Sequence, residues 1–435
     1  MRIRRLALAT AVALIVTATL ASRRPAAGWE SGRFDVCLFC GGYGGLDALN
    51  NVLLFLPFGA AAAAVGWRLI ATTLTATALA TAVELIQLTV VTGRYEGMGD
   101  ILFNTGGALA GAVLFSTRPT WILPSPRAAR IGALAAAAVA IGIAAATAWL
   151  LGLPVPNRPL VGEWAPRRAV VFTGALHRAT LNGESLPAGP IDAEMRDRFR
   201  AWAVARRASI EADITAASPP PQGVAPIVRL VTDDLVHLAI NQSHDGIVFV
   251  PALRSRRLGL RTLAIALPAA AQPSERLHIE GSVEPRMLQI SADGPRGRSS
   301  RRLDLTVGLG WTMLLPFTLT LRDTPPIGSL FWLLVLALPI GFYAAAARSS
   351  MRSSFWWLVI PASLVVALVC VPAAAGIAAS GWTEWVGAVS GAALGAVGGE
   401  RVRRARVRAR REGGRVDAGT VRLSRPPGCL RPGGR

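Results

Sequence analysis

The sequence predicts a polytopic α-helical membrane protein with about eight transmembrane helices and an inserted all-β domain. Of its 435 residues, 52% are hydrophobic, and the apolar residues are concentrated in long segments separated by short loops that carry arginine. Between residues 154 and 305 the chain instead becomes polar and rich in proline, with short runs of Val, Ile and Leu. This composition is typical of a membrane protein with room for one soluble domain.

Apolar segments of spanning length lie on both sides of the polar region, at residues 6–21, 49–66, 69–91, 101–117, 131–153, 327–347, 355–376 and 380–399. Cytoplasmic loops are enriched in Lys and Arg. This rule places the loops at Arg68 and at residues 118–130 inside and the β domain outside. The first segment is either a retained anchor or a cleaved signal peptide, and both alternatives put the following loop outside.

Residues 305–322 are apolar but short for a span, and Gly308, Gly310 and Pro316 interrupt them. We therefore interpret residues 306–326 as an interfacial or re-entrant segment, which keeps the arginine-rich tail on the cytoplasmic side. The predicted organisation is a first transmembrane domain over 1–120, a fifth helix with its loop over 121–153, the β domain over 154–305, the interfacial segment, three helices over 327–399 and a disordered basic tail over 400–435.

The net charge of +20 arises mainly from arginines in loops and in the C-terminal tail. Membrane topology accounts for this distribution, which is not the footprint of a nucleic-acid-binding protein. Membrane lipid is thus an expected partner and nucleic acid is not, while the oligomeric state stays open. The four histidines have no ligand spacing, so we expect no metal site and no cofactor.

Polar side chains inside three of the predicted spans form the candidate site. Two spans begin with Asp-x3-Asn, a spacing that places both side chains on one helix face. The third span carries a carboxylate and an amide three residues apart. A charged residue at mid-span costs about 2.5–3.5 kcal/mol on insertion scales, which favours a functional role. The predicted topology brings these groups into one layer near the outer surface, with an arginine in the adjoining loop: Asp47, Asn51, Glu84, Gln87, Arg94, Asp100 and Asn104.

A purely structural interpretation of the same residues stays open. Asn and Gln stabilise packing between membrane helices, and each Asp could cap the start of its helix. Glu84 argues most strongly for function, because a buried carboxylate contributes nothing to packing unless it is paired.

The polar residues also carry a family resemblance. The order D-x3-N-x3-F-x-P-x-G, E-x2-Q, R and D-x3-N-x2-G, from Asp47 to Gly107, resembles the VanZ family over about residues 1–120. The resemblance implies a bacterial inner-membrane protein of the cell envelope, favours a retained first helix and suggests a link to glycopeptide (teicoplanin) resistance. It names no reaction, and we lean away from an enzyme.

Cys37 and Cys40 form an isolated CxxC motif in a glycine-rich loop. A zinc site needs about four ligands, and no second CxxC or nearby histidine completes one. A short disulfide or a structural loop is therefore favoured over a redox or metal role.

The short strand-like runs of residues 154–305 resemble a concanavalin-like or laminin-G-like jelly roll, with Asn241–Gln242 and Asp245–Gly246 at expected turns. The resemblance implies recognition of an extracytoplasmic glycan or lipid-linked envelope precursor. The alternatives are an enzyme acting on a lipid-linked phosphate, for which no histidine or nucleophile motif is present, and a small transporter.

Overall fold

The computed structural model describes residues 2–20, 34–39, 41–90, 96–167, 170–317, 319–321, 325–348 and 355–420. The helices of these residues are α1 (Arg2–Leu20), α2 (Gly44–Ala64), α3 (Leu69–Val90), α4 (Met98–Ser116), α5 (Arg118–Ile122), α6 (Pro126–Leu150), α7 (Ala193–Ala205), α8 (Arg254–Arg257), α9 (Pro326–Ala346), α10 (Phe355–Val365), α11 (Val371–Ala375) and α12 (Trp382–Thr420).

The helical membrane part and separate β domain that the sequence predicts are both present. Among the described residues, seven helices are long and apolar enough to cross a membrane, namely α1, α2, α3, α4, α6, α9 and the continuous unit of α10, a π-helical turn and α11. The predicted eighth span lies in α12, which is glycine-rich and less apolar. It packs closely along α9, and its helix continues well beyond the predicted end at residue 399.

Helices α2 and α4 lie side by side because glycines remove the side chains from their contact. A methyl group on Gly107 would overlap the carbonyl oxygen of Val52, and one on Gly111 would overlap that of Leu56. These contacts progress in the same direction along both helices, so the helices run parallel. Helix α3 returns the chain between them, as three successive membrane crossings require.

The β domain consists of two packed sheets. Its strands are β3 (Val161–Trp164), β4 (Ala175–Leu181), β5 (Glu184–Ser185), β6 (Gly189–Pro190), β7 (Ala208–Thr215), β8 (Val224–Val231), β9 (Val236–Ser243), β10 (Gly246–Pro251), β11 (Ala264–Pro268), β12 (Arg276–Val283), β13 (Met287–Gly294), β14 (Gly297–Asp304) and β15 (Thr320–Leu321). Strands β1 (Phe34–Asp35) and β2 (Glu96–Gly97) form a separate parallel pair beside the helices.

The seven-stranded sheet has the order β15-β11-β10-β9-β8-β3-β6 and the six-stranded sheet the order β14-β13-β12-β7-β4-β5. All pairings are antiparallel except β11 with β15. Alternate residues of β7 are buried, as expected for a strand with one face on the core. Gly281 allows close packing between the sheets, because a methyl group there would overlap the ring of Phe249. The predicted turn at Asp245–Gly246 is confirmed, but the one at Asn241–Gln242 is wrong, because both residues lie within β9 and pair with strands on either side. The jelly-roll connectivity stays a prediction.

The segment after the β domain does not form a long helix. Residues Val307–Leu314 form a 3-10 helix of eight residues, followed by strand β15. At about 2 Å per residue such a helix is roughly half the thickness of a bilayer core. The interval between β14 and α9 therefore holds no element long enough to span among its described residues.

Candidate functional site

The polar layer of the N-terminal helices begins with a pair between the two Asp-x3-Asn motifs. Asn51 donates from Nδ2 to Oδ1 of Asp100 across 2.5 Å, so the amide of α2 meets the carboxylate of α4. The parallel packing of the two helices places these groups at the same depth. Both side chains are partly buried, which strengthens a charge-assisted hydrogen bond.

Glu84 and Gln87 join α3 to its neighbours, and both are almost completely buried. Oε2 of Glu84 accepts a hydrogen bond from the backbone N–H of Gly97 at 3.3 Å, directly before α4. Nε2 of Gln87 donates to the carbonyl oxygen of Thr19 at 2.7 Å, near the end of α1. The two side chains therefore tie α3 to both α1 and the start of α4.

The remaining predicted residues divide into three cases. Asn104 is 1% exposed, and its Oδ1 has no hydrogen-bond partner among the described residues. Asp47 lies on the exposed side of α2. Arg94 lies outside the described residues, so its predicted role stays a prediction. Neither Asp acts as an N-cap, because α2 and α4 begin earlier, after Tyr43 and Gly97.

A second polar feature, which the sequence did not predict, is a groove on the seven-stranded sheet. The groove has a volume of about 760 Å³ and is lined by β3, β8, β9 and β10 together with the turn at residues 232–236. Asn241 forms part of its lining, and Arg229 pairs with Glu163 at 3.3 Å. Amides, carboxylates and guanidinium groups in a concave surface are suited to hydroxyl-rich ligands.

The turn at residues 232–236 adds two acidic side chains, Asp233 and Asp234, to the lining of the groove. The hydroxyl of Thr232 donates to Oδ1 of Asp234 at 2.9 Å, and this bond holds the pKa of the Asp234 carboxyl below its ordinary value. Asp234 is therefore a carboxylate at neutral pH. It also lines an adjoining cavity of about 780 Å³ between residues 256–260 of the β domain and the loop that precedes α2. Among the described residues, no cluster of acidic, His or Cys side chains could hold a metal ion.

Tyr43 connects the groove to the membrane helices. It is the N-cap residue of α2 and lines the groove. The guanidinium groups of Arg256 and Arg261 lie 4.0 Å and 3.8 Å from the centre of its ring, so two cations of the β domain hold it. The N–H of Leu46 also donates to the carbonyl of Gly259 at 3.1 Å. The start of α2 is therefore fixed to the β domain.

The family resemblance of these helices is confirmed by a comparison with known families. Residues 8–121 match the VanZ/LLP1 family model. The match covers about a quarter of the chain, including all seven predicted site residues, so α1 to α4 form a VanZ-like domain and support a role in the cell envelope. The chain matches no curated protein and no solved structure.

Neither the partner of Cys37 nor the groove could be determined from the sequence alone. Cys37 is disulfide-bonded, whereas its predicted partner Cys40 lies outside the described residues, so the pairing stays a prediction. Cys370 is a free cysteine. The groove residues gave no local signal, because a groove depends on strand pairing between distant segments. The sequence did contain one signal for the groove: Tyr43 is an aromatic residue in a glycine-rich loop directly before a span.

Proposed function

We propose that the protein is a VanZ-like envelope protein of the bacterial inner membrane whose β domain recognises an extracytoplasmic glycan or lipid-linked precursor. The groove on the seven-stranded sheet is the binding surface, and the polar layer of the VanZ-like domain is the element that responds. The proposal includes a contribution to tolerance of glycopeptides such as teicoplanin.

The position of Tyr43 carries this proposal. Its ring lines the groove, while its backbone begins the helix that holds Asn51 two turns later. A ligand that displaces the ring from Arg256 or Arg261 would change the start of α2. Any movement of α2 acts on the hydrogen bond between Asn51 and Asp100, since this bond joins the two helices.

Binding to the full-length protein in nanodiscs, measured calorimetrically with a soluble disaccharide–pentapeptide from peptidoglycan, tests the first step. Asn241→Leu should weaken binding by about 5- to 150-fold, because an unmet hydrogen bond to a ligand costs about 1–3 kcal/mol. Gln289→Ala, on the opposite sheet, is the matched control and should leave affinity unchanged. Equal affinity for the wild type and Asn241→Leu would contradict the groove as the binding surface.

The second step is tested by separating binding from response. Tyr43→Ala removes the ring that the ligand must displace, so the same fragment should bind at least as tightly as to the wild type, while teicoplanin tolerance in cells should be lost. Normal tolerance with this variant at wild-type protein level would reject Tyr43 as the connection.

A further inference from the structure

The C-terminal helices repeat a packing arrangement already described for α2 and α4. Four glycines of α12, namely Gly387, Gly391, Gly395 and Gly399, each lie where a methyl group would overlap the carbonyl oxygen of Leu330, Leu334, Leu338 or Phe342 of α9. The contacts progress in the same direction on both helices, so α9 and α12 are also parallel. Helices α10 and α11 return the chain between them, as α3 does.

The residues at the two contacts correspond one by one. Helices α4 and α12 both contain G-A-x-x-G-A-V, at residues 107–113 and 391–397. Helices α2 and α9 both contain L-P-x-G, at residues 56–59 and 338–341. The pairing across the contact is also the same: Gly59 faces the carbonyl of Ala108, and Gly341 faces that of Ala392. A general preference for small residues between helices explains neither the shared strings nor their shared register.

The correspondence extends to the acidic residue. Asp100 lies seven residues before Gly107 in α4, and Glu384 lies seven residues before Gly391 in α12. Both are in the first turn of their helix. The positions that match Asn51 and Asn104, however, are Leu333 and Ala388. The second arrangement thus keeps the acid and lacks both amides.

In both halves, the segment between the first and second helices contacts the start of the last helix, beside its acidic residue. In the VanZ-like domain, the carbonyl of Cys37 accepts a hydrogen bond from the N–H of Gly99 at 3.2 Å, beside Asp100. In the C-terminal half, the hydroxyl of Thr306 donates to Oε1 of Glu384, which is 2% exposed. Gly308 packs so closely on the same carboxylate that a methyl group there would overlap it.

We propose that α6 with α9 to α12 is a second VanZ-like helical unit, into which the β domain is inserted between the first and second helices. Glu384 is its counterpart of Asp100, and its site is occupied by the chain's own segment, Thr306 to Gly308. Helix α6 packs on α9 and α10 as α1 packs on α2 and α3. The second unit therefore binds the end of the β domain through Glu384. The first unit instead has the amides Asn51 and Asn104 in its polar layer.

A rescue experiment on the full-length protein in nanodiscs tests the correspondence. Leu333→Asn places an amide in a buried apolar position and should lower the thermal unfolding midpoint. Adding Glu384→Asp recreates the pair of Asn51 and Asp100, so this double variant should lose clearly less than the sum of its two single variants. The matched control, Leu336→Asn with Glu384→Asp, should lose the sum of its two single variants. Additive losses in both double variants would overturn the repeat.

A second measurement stands even if the polar variants fail to fold. In a background with Cys370→Ala and Cys429→Ala, cysteines at positions 333 and 384 should form a disulfide in membranes as readily as cysteines at 51 and 100. Cysteines at 336 and 384 should not. Failure of the 333–384 pair beside success of the 51–100 pair would overturn the proposed register.

The occupant of the second site is tested by a double-mutant cycle with Thr306→Val and Glu384→Leu. If Thr306 occupies the site, the two changes in unfolding midpoint should be clearly non-additive, because both variants remove the same hydrogen bond. Additive changes would show that Glu384 does not seat the β domain through Thr306.

Discussion

At the scale of the residue, three buried or partly buried polar side chains of the VanZ-like domain are each held by a specific partner from another helix or its flanking loop. Glu84 accepts from the backbone of Gly97, Gln87 donates to Thr19, and Asn51 donates to Asp100. A buried polar group without such a partner costs about 1–3 kcal/mol. These side chains therefore stabilise one particular arrangement of helices. A ligand that binds the polar layer must replace one or more of these hydrogen bonds with its own.

The first prediction concerns Glu84. Glu84→Gln keeps an oxygen that can accept from Gly97, so the unfolding midpoint in nanodiscs should stay near that of the wild type. Glu84→Leu leaves the buried N–H of Gly97 without this acceptor and should lower stability by about 1–3 kcal/mol. Teicoplanin tolerance should be lost in both variants if the carboxylate is functional. A stable and fully active Glu84→Gln protein would contradict that role.

The second prediction concerns the pH dependence of the β domain. Burial lowers the pKa of His237 to about 4, from an ordinary 6.5, and nearby Arg257 acts in the same direction. Because the unfolded chain binds this proton more readily, the contribution of His237 is fully present above about pH 6.5. It is lost as the pH falls towards 4, by up to about 3 kcal/mol.

The measurement compares unfolding midpoints of the β domain at pH 7.5 and 5.0 in wild type and His237→Gln. The variant cannot titrate at this position, so its midpoint should fall less on acidification. Equal acid sensitivity in the two proteins would show that His237 is not the responsible group. His278, which is exposed and bonds Asp213 at 2.7 Å, supplies the matched control variant, His278→Gln.

At the scale of the element, segment hydropathy predicted the spans, but helix ends depended on local bonds. Helix α6 begins at Pro126 rather than residue 131, because the hydroxyl of Ser125 accepts from the N–H of Ala128 at 3.2 Å. Helix α7 was missed within the β domain, although Asp192 caps it and Glu194 pairs with Arg198 one turn later. The helical pattern of this short polar segment was weaker than the strand pattern of the apolar runs around it.

The predicted site residues were found because polar groups in apolar segments are conspicuous, but their pairing was not predictable. The bond from Asn51 to Asp100 requires α2 and α4 to run parallel in close contact, which depends on tertiary packing at Gly107. The same holds for the groove, whose lining comes from strands that are paired across distant parts of the sequence.

The third prediction uses two adjacent glycines of α4. A methyl group on Gly107 would overlap the backbone of Val52, whereas one on Gly106 would meet no atom within 4 Å. Gly107→Ala should therefore separate α2 from α4 and lower the unfolding midpoint. Gly106→Ala should be neutral or slightly stabilising, because alanine favours a helix more than glycine does. Thermal unfolding in nanodiscs measures both, and similar effects of the two variants would contradict the close contact.

At the scale of the whole molecule, the β domain and the arginine-rich loops lie at opposite ends of the helices. On the side of the β domain, Arg206 donates to the carbonyl oxygens of Ala148 and Ala375 at the ends of α6 and α11. At the other end, Tyr343 donates to the carbonyl of Trp121, and Arg4 donates to that of Ala64. Because the positive-inside rule favours the cytoplasmic side for the arginine-rich loops, it predicts that the β domain at the opposite end lies outside.

The last prediction is the orientation in the membrane. In a background with Cys370→Ala and Cys429→Ala, Gln222→Cys lies in an exposed turn of the β domain and Thr120→Cys lies on the exposed short helix α5 between α4 and α6. A membrane-impermeant maleimide added to intact spheroplasts should label position 222 and spare position 120, because arginine-bearing loops stay in the cytoplasm. Detergent should make both positions reactive, which controls for access. Labelling of position 120 and protection of position 222 before detergent would invert the topology, and the groove would then face the cytoplasm and could not meet an extracytoplasmic glycan.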